Sequence, residues 1–576
     1  MLGTFLASVA VASATQEVFK FDAPGFRQSN AILSPEWHAY IEQLRRNDSL
    51  PGISVGVVRF GEDREPEVQL ASWGRRTEEG HGHDMTPDAF LSTSVGLLMD
   101  DYAHGRNVTP LPEGMKYFDW DTRVRDILPK ILNWSLKPIG GDDSATRNAK
   151  LRDIFAHVSG LPSSDFTYWP GDTAESMIRR MSKVRTAYEL REQYSYNNQF
   201  YILGAYLIEH YANTTLAEFV SERIFTPLGM SSSTYIPSVA AASGKLTQSW
   251  HRNGRRIPFW FDEQIASFNG GAGGVISSVT DLAKWLSVWL NEGVDPVSGQ
   301  IVFPKSVYET VTTAQSIVHG RPSANYESLI GYGMGWERWA AGGIDIVHHT
   351  GGIPGFSSIV AFSPSHKLGV VALVNRDEAV AILKIVKKTF DDVQGTNLSE
   401  AADSLGESFR PSNQVSTPQP AKVTPPSLDW SAYAGLYKSD DSYLPVTLCA
   451  SQSDSAHCQA VVSDFATLDS PAAVTTSLYS TYPAVWASHL RLLHFSGDVF
   501  NFTFTALFPH GYGRNTSAFE QFESGVTSGW VEFQVDEAKG VVVGFSLVGD
   551  MNACAARARK TGGTLSETAD AWFVRE

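Results

Sequence analysis

The chain has 576 residues, so at about 150 residues per domain it has room for three or four domains, or for one large enzyme domain with a smaller companion. Its net charge of −16 at pH 7 has the wrong sign for a phosphate-binding surface, and nucleic acid is excluded as an expected partner. Hydrophobic residues at 43% and charged residues at 19% mark a globular chain, and beyond the N-terminus no 18-residue apolar run offers a membrane span.

Residues 1–14 (MLGTFLASVAVASA) are apolar and small, lack Lys or Arg, and end on an Ala12-Ser13-Ala14 step resembling a signal-peptidase site. They are read as a signal peptide, with an apolar N-terminal helix or a clipped gene start as the alternative. Asn-x-Ser/Thr triplets at Asn47, Asn107, Asn133, Asn213, Asn397, Asn501 and Asn515 favour export and glycosylation, although Pro110 weakens the second. A secreted protein is the expectation.

Residues 25–400 are expected to mix strands and helices. Ile53–Val58 is strand-like, Asn198–Tyr211 is a helix candidate, and residues 344–375 hold three β-rich runs. Ala379, Val380, Ile382, Leu383, Ile385, Val386, Phe390 and Val393 recur at helical spacing, which predicts a closing helix packed on that sheet. Residues 406–428, rich in Pro, Ser and Gln, read as a linker. Residues 429–576 then turn mostly β: Trp530–Val535 and Val541–Val548 form a hairpin across residues 536–540, in an antiparallel barrel or sandwich. Cys449, Cys458 and Cys554 all fall in the last quarter, so one disulfide at most can form. Cys449 and Cys458 are close enough to bridge two neighbouring strands in an oxidising compartment, against the alternative of three unpaired buried thiols.

Three short segments carry the chemistry. Tyr196-Asn197-Asn198 precedes an amphipathic helix, and in isolation it is a helix N-terminus capped by Asn197 or Asn198. His349-Thr350-Gly351-Gly352 ends a β-run in a glycine pair, which lets a backbone approach a ligand closely or merely connects two strands. The third, His157 to Pro162, reads alone as a turn. A fourth cluster, His81-Gly82-His83-Asp84, has metal-binding residue types, but a polar loop is the plainer reading and no metal is expected.

Taken together, residues 50–393, about 60% of the chain, resemble the β-lactamase-related serine hydrolases, which include class C β-lactamases, DD-peptidases, D-aminopeptidases and fungal esterase-like proteins. LPGISVGVV resembles that family's first strand, LRDIFAHVSGLP its HTSGLP segment, YSYNN its YxN motif and IFTPLGMSSSTY its PLGM segment; GAGGVISSVTDLAKWL followed by HHTGG completes the pattern. The resemblance implies an α/β (α+β) serine β-lactamase-like fold, with an antiparallel sheet flanked by helices and a helical lobe. DWSAYAGLYKSD, after the linker, resembles the start of a β-domain appended to some members.

The same resemblance implies acyl-enzyme chemistry, in which a Ser opening a helix attacks a carbonyl while a Lys one turn later and the motif Tyr take its proton. Carried over by position, Tyr196 is the general-base partner, Asn198 holds the Lys and the substrate amide, and His349-Thr350-Gly351 replaces the KTG triplet. The Gly352 N–H is implied as an oxyanion donor. The nucleophile, four residues after Phe90, is Ser94, with Ser92 as the other remnant.

Here the chain departs from the pattern, because no Ser-x-x-Lys occurs in it: Ser94 is followed at plus three by Leu97 and Ser92 by Val95. VGLLMDD resumes the later turns of the same family helix, so the discrepancy has the form of a deletion of about nine residues, roughly 13 Å of helix. A misassigned splice junction and a genuine loss both produce it. The expected function is a secreted serine hydrolase acting on small esters, lactones or amides, impaired as written by the missing Lys. The alternatives are a catalytically silent pseudoenzyme or binding protein using the same cleft, and an acyltransferase of secondary metabolism. The mostly neutral His349 argues against penicillin-type carboxylate recognition. The expected partner is a small acyl substrate; no cofactor is called for, and oligomeric state is open.

Overall fold

The computed structural model describes residues 27–28, 32–61, 65–80, 90–322, 326–396, 398, 423–521 and 528–576. The expected signal peptide, the His81–Asp84 cluster, Asn397 and residues 406–422 of the expected linker lie outside them.

Among the described residues the first sheet has nine strands. In chain order its first three are β1 (Arg27–Gln28), β2 (Gly52–Phe60) and β3 (Pro66–Gly74). A small separate hairpin, β4 (Ser249–Trp250) and β5 (Arg256–Ile257), follows. The sheet is completed by β6 (Ser316–His319), β7 (Ile330–Tyr332), β8 (Glu337–Ala341), β9 (Ile344–Ile353), β10 (Phe356–Ser363) and β11 (Leu368–Val374). The order is β1-β3-β2-β11-β10-β9-β8-β7-β6, antiparallel throughout except for β1 on β3.

Residues of β10 and β11 are buried along their whole length because both faces of the sheet are covered. The period of two divides them. Val371 and Leu373 join the core that contains Leu282 and Leu286 of the helix Val279–Leu290. Val370, Ala372 and Val374 join the opposite core with Ile382 and Ile385 of the helix Ala379–Gln394. That second helix is the closing helix foreseen from its spacing, and it ends at Gly395 in the left-handed region. The first core continues into a helical lobe around Leu91–Ala103, Gln199–Ala212 and Glu263–Gly273.

A second antiparallel sheet follows. Its strands are β12 (Gly435–Ser439), β13 (Val446–Leu448), β14 (Ser477–Thr481), β15 (His489–Ser496), β16 (Val499–Phe508), β17 (Phe519–Gln521), β18 (Ser528–Asp536), β19 (Val541–Val548) and β20 (Ala571–Arg575). They run β13-β12-β20-β19-β18-β16-β15-β14, with β17 paired to β16. Paired backbone bonds between Cys449 and Tyr479 bring the two ends of that order together, so the sheet is a nearly closed barrel. The barrel also carries the helices Ala456–Ala466 and Met551–Thr561, whose apolar residues are too sparse to stand out in so β-rich a stretch.

Cys449 and Cys458 form a disulfide across a separation of 9 residues. Cys458 lies in the helix Ala456–Ala466, so the bridge ties a strand end to a helix and not two neighbouring strands. Cys554 is free and buried. Peptide mapping without reductant is expected to recover Cys449 and Cys458 in one linked pair and to alkylate Cys554 only after denaturation. Three alkylatable thiols in the unreduced, denatured protein would contradict the bridge.

The barrel meets the loops around Lys137 and Arg185 of the first region along a polar seam. Buried Asp441 accepts from Lys137 Nζ at 2.7 Å, Arg185 at 2.6 Å and the Trp572 N–H at 3.1 Å. Arg557, 5% exposed, donates to the carbonyls of Thr186 and Arg185 at 3.0 Å each and to Asp570 at 2.9 Å. Such charge-assisted bonds fix geometry as well as adding stability.

Candidate active site

The helix Leu91–Ala103 enters the lobe with its first turns fully enclosed. Ser94 is 0% exposed and its Oγ donates to the Phe90 carbonyl at 2.8 Å, so the hydroxyl is spent on its own helix. Leu97, where a lysine would stand, is 2% exposed in the apolar core. Ser92 is also buried, and its Oγ has no hydrogen-bond partner among the described residues. It faces Gly335: a Cβ there would lie 2.7 Å from Ser92 Oγ and 3.7 Å from Tyr201 Oη, and φ is +84°, so glycine alone permits the approach. Both serines lie under the surface.

Tyr196 is 36% exposed and opens onto solvent. Its ring lies 4.3 Å from that of His157, which also contacts Tyr201 at 5.3 Å and Tyr332 at 4.9 Å. His157 is held by the local fold. Its φ is +57°, its carbonyl accepts from the Ser195 N–H, and its Nδ1 accepts from the Asn197 N–H at 3.1 Å. The neutral ring therefore carries its proton on Nε2, which is buried and unpartnered among the described residues. Gly160, three residues on, has φ +89°, and a Cβ there would lie 2.1 Å from the Tyr188 carbonyl oxygen.

His349 comes from β9. Its Nδ1 lies 2.7 Å from the Thr350 carbonyl and so bears the proton, which leaves Nε2 to accept from the Tyr332 hydroxyl at 3.3 Å. Tyr332 lies 3.3 Å from the Tyr201 hydroxyl, and Tyr201 donates to the Phe155 carbonyl at 3.0 Å. Tyr196, His157, Tyr332, Tyr201 and His349 thus form one continuous cluster, with Ser92 at its base. Thr350 and Gly351 are half-buried opposite Ile359 and Ser358 of β10, and Gly352 is exposed opposite Ser357.

Asn198 is the residue before the helix Gln199–Ala212 and makes no side-chain cap; Asn197 does that work, accepting from the Gln199 N–H at 2.8 Å. Asn198 Nδ2 instead donates to Asp165 Oδ2 at 2.9 Å, and Tyr168 donates to the other oxygen at 2.8 Å. Burial pushes the Asp165 carboxyl up, against these two bonds.

The electrostatics are those of a neutral site. Burial lowers His349 to about 4, with the Thr350 carbonyl acting the other way. Burial, and then the charge of His349, lowers His157 well below its ordinary value. Both imidazoles are uncharged at neutral pH. Burial also drives Tyr332 far above the usual phenol range, and it lifts Glu337, which acts on Tyr194, to about 7.

Tyr332, Tyr201, Gly335 and Asp165 were not singled out from sequence. The glycines at every second position of Gly331-Tyr-Gly-Met-Gly335 were the available signal of close backbone approach. Of the expected glycosylation sites, Asn47, Asn107, Asn133, Asn213 and Asn515 are exposed, and Asn501 is half-buried on β16.

The family model described as Beta-lactamase matches residues 113–384, a stretch that begins after the Leu91–Ala103 helix and includes Tyr196, Asn198 and His349–Gly352. The chain is 27% identical over 395 residues to the unguisins hydrolase ungD of Aspergillus violaceofuscus, covering 62% of this chain and 65% of that protein. It is 24% identical over 254 residues to a D-aminopeptidase of Brucella anthropi, covering 41% of this chain and 43% of the relative. The chain thus spans less than two thirds of the length of either relative. The octameric penicillin-binding protein homologue from Pyrococcus abyssi is similar in fold, with a TM-score of 0.51 at 16% identity over 87% of this chain and 96% of that one.

Proposed function

The chain carries a β-lactamase family domain with relatives named as hydrolases, and from that premise we propose that it is an exported serine hydrolase whose cleft receives an uncharged acyl compound, an ester, lactone or amide. The observation that carries this reading is the single cluster of Tyr196, His157, Tyr332 and His349 with both imidazoles neutral. A neutral His349, with both ring nitrogens engaged by Thr350 and Tyr332, offers no charge to a substrate carboxylate. The bond made at the serine is an acyl ester, with the leaving alcohol or amine taking up the serine proton. Export is supported by the Cys449–Cys458 bridge and the exposed sequons.

The second reading is a binding protein that no longer turns over. It is favoured by Ser94, bonded to its own helix, and by Leu97 at the lysine position.

The substrate class is tested by p-nitrophenyl acetate against p-nitrophenyl hemisuccinate, which differ by a carboxylate. The native chain is expected to favour the neutral ester by about tenfold in kcat/KM, and His349→Lys to erase most of that preference. Between pH 5.5 and 8 no change should trace to His349, since its proton is taken up near pH 4. Preference of the native chain for the hemisuccinate would overturn the reading.

A further inference from the structure

We infer that the C-terminal barrel is a working part of the cleft: Tyr482, in the β14–β15 connection, is a positioning residue for Asn198. The inference rests on the proposed hydrolase reading, in which Asn198 touches the substrate amide.

Tyr482 is fully buried, and its hydroxyl donates to the Phe166 carbonyl at 2.8 Å, across 316 residues of sequence. Phe166 belongs to the short turn Asp165–Thr167, and its ring stacks on Phe504 of β16 at 4.7 Å. Tyr482 lies 4.5 Å from the same Phe504 ring. The next bond in the turn is also made by the barrel: the Val485 N–H donates to the Tyr168 carbonyl at 3.2 Å, and Trp260 Nε1 donates to the Val485 carbonyl at 2.9 Å.

The same turn carries the groups that face Asn198 and Gln199. Asp165 accepts from Asn198 Nδ2 and from Tyr168, and Thr167 accepts from Gln199 Nε2 at 3.3 Å. Asn198 has no capping bond to fix its side chain, so its direction is set by Asp165. Asp165 is in turn set by a turn whose backbone is pinned from the barrel. Removing the Tyr482 hydroxyl leaves a buried carbonyl without its donor, which the turn relieves by moving, and Asn198 moves with it.

The test uses the full chain and the variants Tyr482→Phe, Asn198→Ala and their double. Two p-nitrophenyl esters of equal length are compared, one bearing an acylamino group and one without it. Tyr482→Phe is expected to lower discrimination for the acylamino ester by about fivefold through KM, with kcat within about twofold. Asn198→Ala should lower that discrimination at least as far, and the double variant should lose no more of it than Asn198→Ala alone. A merely structural role would weaken both esters equally, and that result, or unchanged discrimination, overturns the inference. If no variant hydrolyses either ester, the hydrolase reading fails by itself and the crystal structure of Tyr482→Phe decides: a displaced Asn198–Asp165 contact supports the inference, and one kept at 2.9 Å overturns it.

Discussion

A chain given about nine residues of helix after Ser94, carrying Ser-x-x-Lys, is expected to hydrolyse p-nitrophenyl acetate and to react with a fluorophosphonate at least about 10²-fold faster than the present one, the usual scale of general-base catalysis. The reason lies in the helix Leu91–Ala103. Ser94 Oγ donates to the Phe90 carbonyl, so its proton is spent on its own helix and not on a base, and a Ser-x-x-Lys turn would bring beside it the ammonium that favours a phenolate. A point change cannot supply one. Leu97 is 2% exposed in the apolar core, so Leu97→Lys places a charge among hydrophobic neighbours and should cost stability without restoring turnover. Tyr196→Phe in the repaired chain should remove most of the gain. Rapid labelling of the unrepaired chain, unaltered by the insertion, would show that the lysine is not the missing part.

The largest expected loss of stability comes from the opposite face of the first sheet. Lys387 and Glu327 pair at 3.5 Å with side chains 3% and 2% exposed, and Lys387 lies over the Trp339 ring at 5.8 Å. Removing one partner strands a buried charge. Lys387→Met alone is expected to destabilise by about 3–5 kcal/mol, whereas Lys387→Met with Glu327→Leu should return near the parent or exceed it, because an apolar pair avoids the desolvation both ions suffer. Thermal midpoints decide between them: a double variant as unstable as the single would mean that the pair contributes more than its desolvation costs.

Much of the fold was legible because it is local in origin. The apolar runs of β9 to β11 and the spacing of Ala379–Gln394 follow from periods of two and 3.6, which neighbouring residues encode. The Tyr196 and His349 segments were recognisable as motifs, and the structure brings them together through His157 and Tyr332. The rest depends on contacts between distant segments. Nothing near Ser92 indicates that Gly335 will cover it, and nothing near Asn198 indicates that Asp165 will take its amide. Cys458 sits in a helix because its turn packs on the barrel wall, with Val461 and Phe465 against Tyr479 and Leu507, and this cannot be read from nine residues of spacing.

The stretch Arg185–Tyr188 is gripped from both sides. Arg185 and Thr186 are bonded to Asp441 and Arg557 of the barrel, while the N–H groups of Ala187 and Tyr188 both donate to the Gly160 carbonyl in the segment that begins at His157. The barrel is therefore held against this segment of the first region by hydrogen bonds made by its own side chains, independently of the covalent connection between them. Doubling the length of such a connection costs only about 0.6 kcal/mol in closure entropy. Lengthening the connection is therefore expected to cost little, whereas an exchange at Asp441 or Arg557 acts through Arg185–Tyr188 on the Gly160 carbonyl, three residues from His157, so the barrel is expected to drift in evolution only as fast as the residues that grip it.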